Sequence, residues 1–239
     1  MDTDLAGTDL ARRNFLRTVA VLVPASVALG ACGSSTPSTA TAPVHLTRAE
    51  ADFLDAATQR LIPNDALGPG ANEAGVTQFI DLQLAGAFGR ADRWYMQGPW
   101  PEGTDSQGYQ LQYTPAQIYR EAIAGIDAHC RQQFGKPFAQ LTGAQQDGVL
   151  TALENGKLDL PNVPAKTFFT LLWQNTQEAF LADPVYGGNR NFAGWKLIGF
   201  PGPRYNYVEE IGQFGKRYGE PFVSLDGRRP SSPEGAHHG

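Results

Sequence analysis

One local pattern recurs along the chain: a threonine, a glutamate or glutamine three residues later, then apolar residues returning every three or four positions. Thr47 with Glu50, Thr114 with Gln117 and Thr142 with Gln145 have the form of capping boxes, in which the two side chains satisfy free amides at a helix start. Pro115 adds to the second start, because its missing N–H costs nothing in a first turn. Behind these starts Phe53, Leu54, Ala57 and Leu61, then Ile118, Ala122, Ile126 and Cys130, then Val149, Leu150 and Leu153 each trace one face of a helix. Two further helices are expected over residues 76–88 and 165–182, and a sixth over 207–216. Alternating strand patterns joined by Asn-Gly turns are not evident, so the fold class is all-α, a compact helical domain. Residues 97–113 and 183–204 resist the pattern. Both are rich in Gly, Pro and aromatic residues, and loops of that length inside a compact domain tend to be functional or partner-bound.

The first forty residues read differently. Arg12-Arg13-Asn14-Phe15-Leu16 precedes an apolar run from Val19 to Ala31, interrupted by Pro24. That run is too short to span a bilayer and has the dimensions of a signal-peptide core. Paired arginines ahead of Phe15 and Leu16, with a mildly hydrophobic core, resemble a twin-arginine export signal, an address read by a receptor. Leu29-Gly30-Ala31-Cys32 resembles a bacterial lipobox, which makes Cys32 a candidate for lipidation. Residues 33–43 form a Gly/Ser/Thr/Pro/Ala tether with little to bury. The expected organisation is a signal peptide over 1–31, a flexible linker over 32–45, a helical domain over 46–225 and a disordered tail over 226–239.

Only 18% of residues are charged while 41% are hydrophobic, which leaves apolar surface to bury internally or against a partner. The net charge of −5 and the absence of any long Lys/Arg run exclude nucleic acid as a partner, since nothing would neutralise its phosphates. Past the amino terminus no apolar stretch reaches the length of a membrane span, so membrane attachment would come through a lipid anchor or a partner. If Cys32 is lipidated, Cys130 is left alone in an oxidising compartment. It is then either a buried thiol, packing as a small hydrophobe on its helix face, or half of an intersubunit disulfide.

Reactive constellations are missing. No Gly-x-Gly-x-x-Gly lies between a strand and a helix to bind a dinucleotide, no Cys-x-x-Cys-His attaches a haem, and no Gly-x-Ser-x-Gly elbow presents a nucleophile. His45, His129, His237 and His238 form no metal-ligand spacing. Glu209 and Glu210 are adjacent and would diverge on a helix, unlike a general acid and base pair. Catalytic, cofactor-binding and metal residues are therefore none in this chain.

The most informative segment is Asp183-Pro184-Val185-Tyr186-Gly187-Gly188-Asn189-Arg190-Asn191-Phe192-Ala193-Gly194-Trp195-Lys196. Asp-Pro ends the preceding helix, and Gly187, Gly188 and Asn189 can enter backbone conformations closed to most residues. The loop offers Tyr186, Gly187, Gly188, Asn189, Arg190, Phe192, Trp195 and Lys196 as a candidate partner interface, with side-chain types enriched at energetic centres of contact. Composition equally allows the aromatics to cover the end of a helical core.

The Asp-Pro-x-Tyr-Gly-Gly-Asn-Arg block, followed by Gly-Trp-Lys-x-Ile-Gly-Phe-Pro-Gly, resembles the gluconate 2-dehydrogenase subunit 3 family, also called the gamma or small subunit. Leu61-Ile62-Pro63-Asn64-Asp65 and the Phe-Phe-x-Leu-Leu-x-x-x-Thr-x-Glu run from Phe168 to Glu178 are similar to it as well. The resemblance implies a non-catalytic subunit beside a large FAD-binding subunit of the glucose-methanol-choline oxidoreductase class, often with a membrane-bound multihaem cytochrome c. It implies oxidation of gluconate or a related sugar in the periplasm, with FAD in the partner and no cofactor in this chain. The expected role is assembly, stability and twin-arginine export of the flavin subunit. A surface lipoprotein that binds a small ligand or carbohydrate through its aromatic loops is the competing expectation.

Overall fold

The computed structural model describes residues 42–101, 103–104, 107–216 and 218–230. Arg12, Arg13, Phe15, Leu16, Cys32, most of the linker and residues 231–239 lie outside the described residues. Within them the chain forms six α-helices and no strand: α1 (Arg48–Leu61), α2 (Val76–Ala85), α3 (Pro115–Phe134), α4 (Gly143–Glu154), α5 (Ala165–Leu181) and α6 (Ala193–Ile198). The chain is all-α, as the sequence pattern implies.

Each of the three Thr-initiated helices starts where its capping box stands. At Thr47, Thr114 and Thr142 the threonine oxygen accepts the amide three residues on, and the Glu or Gln side chain accepts the threonine amide in return. Helix α3 ends on Gly135 at φ 74°, a left-handed cap that glycine adopts without steric cost. Helix α2 stops at Ala85, short of the expected residue 88, because Gly86 follows and closes it.

Helix α5 is the hub, in contact with all five other α-helices. Phe168 and Leu172 on α5 are fully buried, as are Phe53 on α1, Tyr119 on α3 and Phe138 in a short 3-10 turn after α3. Their rings form one cluster: Phe53 lies 4.7 Å from Phe138 and 6.3 Å from Phe168, and Tyr119 meets Phe168 edge-on at 5.5 Å. The Tyr119 hydroxyl would be orphaned there, but Asn175 of α5 donates to it at 2.9 Å. Burial of several such rings, each stabilising by about 2–3 kcal/mol, is what holds a helix as central as α5.

Two polar ties join the outer helices to this core. The Asp81 carboxylate, buried on α2, accepts the amides of Val44, His45 and Leu46 at 2.6, 2.9 and 2.8 Å. Three N–H donors replace the hydration that burial removes, and they fix residues 44–46 against α2 although 44 and 45 were expected to be linker. Across α1 and α4, Arg60 grips Asp147 with two bonds of 2.7 Å.

The expected helix over 207–216 is absent. A single 3-10 turn, Val208–Glu210, stands there, and Gly212 and Gly215 take φ values of 92° and 72° that end any helix. The reverse occurs earlier, where six residues of the segment read as loop form α6. Left-handed residues bound it on both sides, Phe192 at φ 60° and Gly199 at φ 72°. Among the described residues no helix is long and apolar enough to cross a membrane.

Candidate functional site: the Gly-Gly-Asn loop and the arm beyond it

The loop that leaves α5 is held shut by its own polar residues. Asp183 caps a 3-10 turn by accepting the Val185 amide at 2.9 Å, and its other oxygen accepts the Leu225 amide at 2.8 Å. One carboxylate thus shapes the turn and draws back the end of the chain. Asn189 is fully buried and does the central work: its Nδ2 donates to the Ala182 carbonyl at 2.8 Å, and its Oδ1 accepts the Gly194 amide at 2.8 Å. A carbonyl at the end of α5 and a free amide at the start of α6 are both satisfied by one side chain. It reaches them from φ 46°, a left-handed conformation that asparagine tolerates better than most.

The glycines of the block are explained by close approach. A Cβ on Gly188 would lie 2.3 Å from the Ala179 carbonyl oxygen, and one on Gly194 would lie 2.0 Å from that of Phe180. The loop backbone therefore rests directly on the last turn of α5. Such glycines leave no open cradle for a pyrophosphate, and no strand precedes them among the described residues, so they do not fit an FAD site.

The rings of Phe192 and Trp195, expected to face a partner, are turned inward instead. Trp195 donates its indole N–H to the Leu181 carbonyl at 2.7 Å and meets Phe200 edge-on at 4.8 Å. Phe192 lies between Trp195 at 5.6 Å and Phe222 at 6.2 Å. Both rings are buried, covering the end of the helical core. Gly202 completes the closure, since a Cβ there would meet the Val223 carbonyl oxygen at 1.9 Å and the Trp195 ring at 3.0 Å. This return of residues 221–225 over the loop left no signal in the sequence that spacing could find.

What remains on the surface is a different set. Tyr186, Arg190 and Lys196 are exposed, Gly187 is half-buried, and Gly188 and Asn189 are interior. Arg190 lies across Gly75 at the start of α2: its amide donates to the Ala74 carbonyl at 2.9 Å and its guanidinium to Gln78. Leu82 abuts Gly187, and Val185, Leu181, Leu197 and Ile198 are exposed as well. Beyond Gly202, residues 204–216 form an arm on which Tyr205, Val208, Ile211 and Phe214 are also exposed.

Cys130 is fully buried on α3. Burial, with Asp127 nearby, pushes its thiol up to about 11, so it stays protonated and unreactive. A bridge to another chain would need that sulfur at the surface, where this fold does not put it. Among the described residues no group of three or more His, Cys, Asp or Glu gathers to hold a metal. A cleft of about 430 Å³ between α4 and α5 is lined by Leu158, Leu160 and Val163 with exposed Lys157 and Lys166 at its edge, and no buried polar group points into it unpaired.

Comparison with known proteins gives one finding. The family model described as gluconate 2-dehydrogenase subunit 3 matches residues 48–202, from the first residue of α1 to the glycine on which Trp195 packs. No curated protein and no solved structure matches the chain.

Proposed function

The chain belongs to the gluconate 2-dehydrogenase subunit 3 family, and from that premise we propose that it is the non-catalytic small subunit of a periplasmic FAD-dependent sugar or sugar-acid dehydrogenase. Its role is to assemble with, stabilise and escort the flavin subunit. The observation that carries this reading is the contrast between inside and outside. The polar chemistry of the Gly-Gly-Asn loop is spent on closing the fold, while the large side chains left exposed near it, Tyr186, Leu197 and Ile198 beside Arg190 and Lys196, are of the types found at an interaction surface.

FAD then belongs to a glucose-methanol-choline type partner, and electrons leave through that partner or a multihaem cytochrome c. Arg12 and Arg13 supply the export address for both chains, because a receptor that accepts folded cargo lets a signal on one subunit carry the other. Cys32 supplies an anchor if it is lipidated. The test is replacement of Arg12 and Arg13 together by Lys, which keeps charge but removes guanidinium geometry. Dye-linked dehydrogenase activity and the small subunit should both shift from the periplasmic or membrane fraction to the cytoplasm, with total activity preserved. A flavin subunit that still reaches the periplasm has its own route, and the escort role then fails. A purified chain that carries no flavoprotein at all points to the ligand-binding lipoprotein instead.

A further inference from the structure

The folded body begins ahead of the family-matched residues, and Asp81 shows where. The match and α1 both start at Arg48. Asp81 lies within α2, 4% exposed, with no ion pair among the described residues. Its carboxylate is held by three consecutive backbone amides, Val44 on one oxygen at 2.6 Å, and His45 and Leu46 on the other at 2.9 and 2.8 Å. Successive N–H groups converging on one anion form a nest, here filled by a side chain of the same protein. Without those donors the carboxylate would be buried and unsatisfied, a strongly unfavourable state. Leu46 is itself buried, and Thr47 then opens the capping box of α1. Residues 44–47 therefore run from the nest straight into the helix.

The start of α1 is already capped without the nest, since Thr47 and Glu50 satisfy its first amides reciprocally. What the nest secures is the stretch of chain that arrives from the amino terminus. Its two sides are 35 to 37 positions apart in sequence, so it closes only once α2 has packed beside α1. We propose that Asp81 is a socket for the root of the amino-terminal leader. The stable body then begins at Val44, a protease that removes the leader must cut ahead of that residue, and a lipid on Cys32 holds the body by α2 and not by the first turn of α1. The socket stands on Asp81 and residues 44–46 alone, whereas its use by a leader or an anchor rests on the exported small-subunit reading.

The test uses the full chain purified from its own cells. Mass mapping gives its first residue, hydrogen exchange of overlapping peptides gives the protection of residues 44–46, and circular dichroism gives the helix content. The isolated protein should begin at or before Val44. Its His45 and Leu46 amides, and that of Val44 where residues precede it, should exchange at least about tenfold more slowly than in the urea-unfolded chain. Asp81→Ala removes both acceptor oxygens and the buried charge together, so the helices should remain while exchange at 44–46 rises at least about tenfold. Exchange of those amides at the unfolded rate in the wild-type chain overturns the socket, and this measurement needs no variant to fold. Unchanged protection in a folded Asp81→Ala chain overturns it as well, as does a natural first residue at His45 or later. A chain that still carries Met1 sinks the leader reading, while slow exchange at 44–46 upholds the socket.

Discussion

Replacing Asn189 by Ala should be among the most damaging single changes in the chain, although it deletes only one small polar group. Two buried backbone groups lose their partner at once, the Ala182 carbonyl and the Gly194 amide, each held at 2.8 Å. An orphaned buried group costs about 1–3 kcal/mol. Alanine must also be held at φ 46°, where an ordinary L-residue pays about 1 kcal/mol. The sum is roughly 3–7 kcal/mol, or a fall in melting temperature of at least about 6 °C for a domain of this size. Urea unfolding followed by circular dichroism gives the free energy directly, because a shift in midpoint at constant slope reports stability alone.

Two companion substitutions separate the contributions. Asn189→Gly keeps the backbone freedom and loses both hydrogen bonds, so it should recover about 1 kcal/mol relative to Ala. Asn189→Asp keeps the acceptor for Gly194 but sets a carboxylate oxygen against the Ala182 carbonyl, and should be no better than Ala at neutral pH. A melting temperature for Asn189→Ala within about 2 °C of wild type would refute the reasoning, since water or a shifted loop would then satisfy both groups as well as Asn189 does.

Trp195→Ala should destabilise the isolated chain by about 3–5 kcal/mol, because it empties a buried site and orphans the Leu181 carbonyl; a variant that melts normally yet fails to assemble would return Trp195 to the interface. Cys130 should resist a thiol reagent in the native chain and react fully in denaturant, and the small subunit should migrate alone on non-reducing electrophoresis of the complex. Burial would raise the Glu50 carboxyl, but the Thr47 amide and side chain and the Arg120 guanidinium outweigh it and hold it below its usual 4.5. Its stabilisation is therefore complete above the unfolded value and lost as pH falls through the lower folded one, so Glu50→Gln should flatten the acid side of a stability–pH curve; an unchanged curve would remove Glu50 from the account.

The helices were legible where the signal is local. A capping box names its first residue, and Thr47, Thr114 and Thr142 each opened the helix they announce. Helix α5 was legible from its apolar run, but its place as hub was not, since Phe168 must meet Phe53 and Tyr119 from distant segments. The spacing of residues 207–216 misled because periodicity says which residues could share a face and not whether anything lies opposite. With no body surface against that face, and with Gly212 and Gly215 in the sequence, the propensity cost of a helix has nothing to offset it. Helix α6 erred the other way. Six residues including Gly194 carry too little periodicity to register, yet the short turn is held because Asn189 accepts its free amide and Trp195 buries its ring.

The Gly-Gly-Asn block shows why residue type alone could not assign its role. Aromatic and cationic residues in a shaped loop describe an interface and a core lid equally well, and the choice falls to residues that look unremarkable in the sequence. Asp183 draws Leu225 back, Gly202 admits the Val223 carbonyl, and Phe222 then reaches Phe192. That return stretch roofs the loop aromatics and turns them inward. The same step leaves residues 204–216 outside, with Arg204 bonded to Tyr218 and with Ile211 and Phe214 exposed among the described residues. Burying Phe192 and Trp195 and exposing the arm are thus one structural event. Tyr186, Arg190 and Lys196 stay on the surface, while the rings of Phe192 and Trp195 go inside.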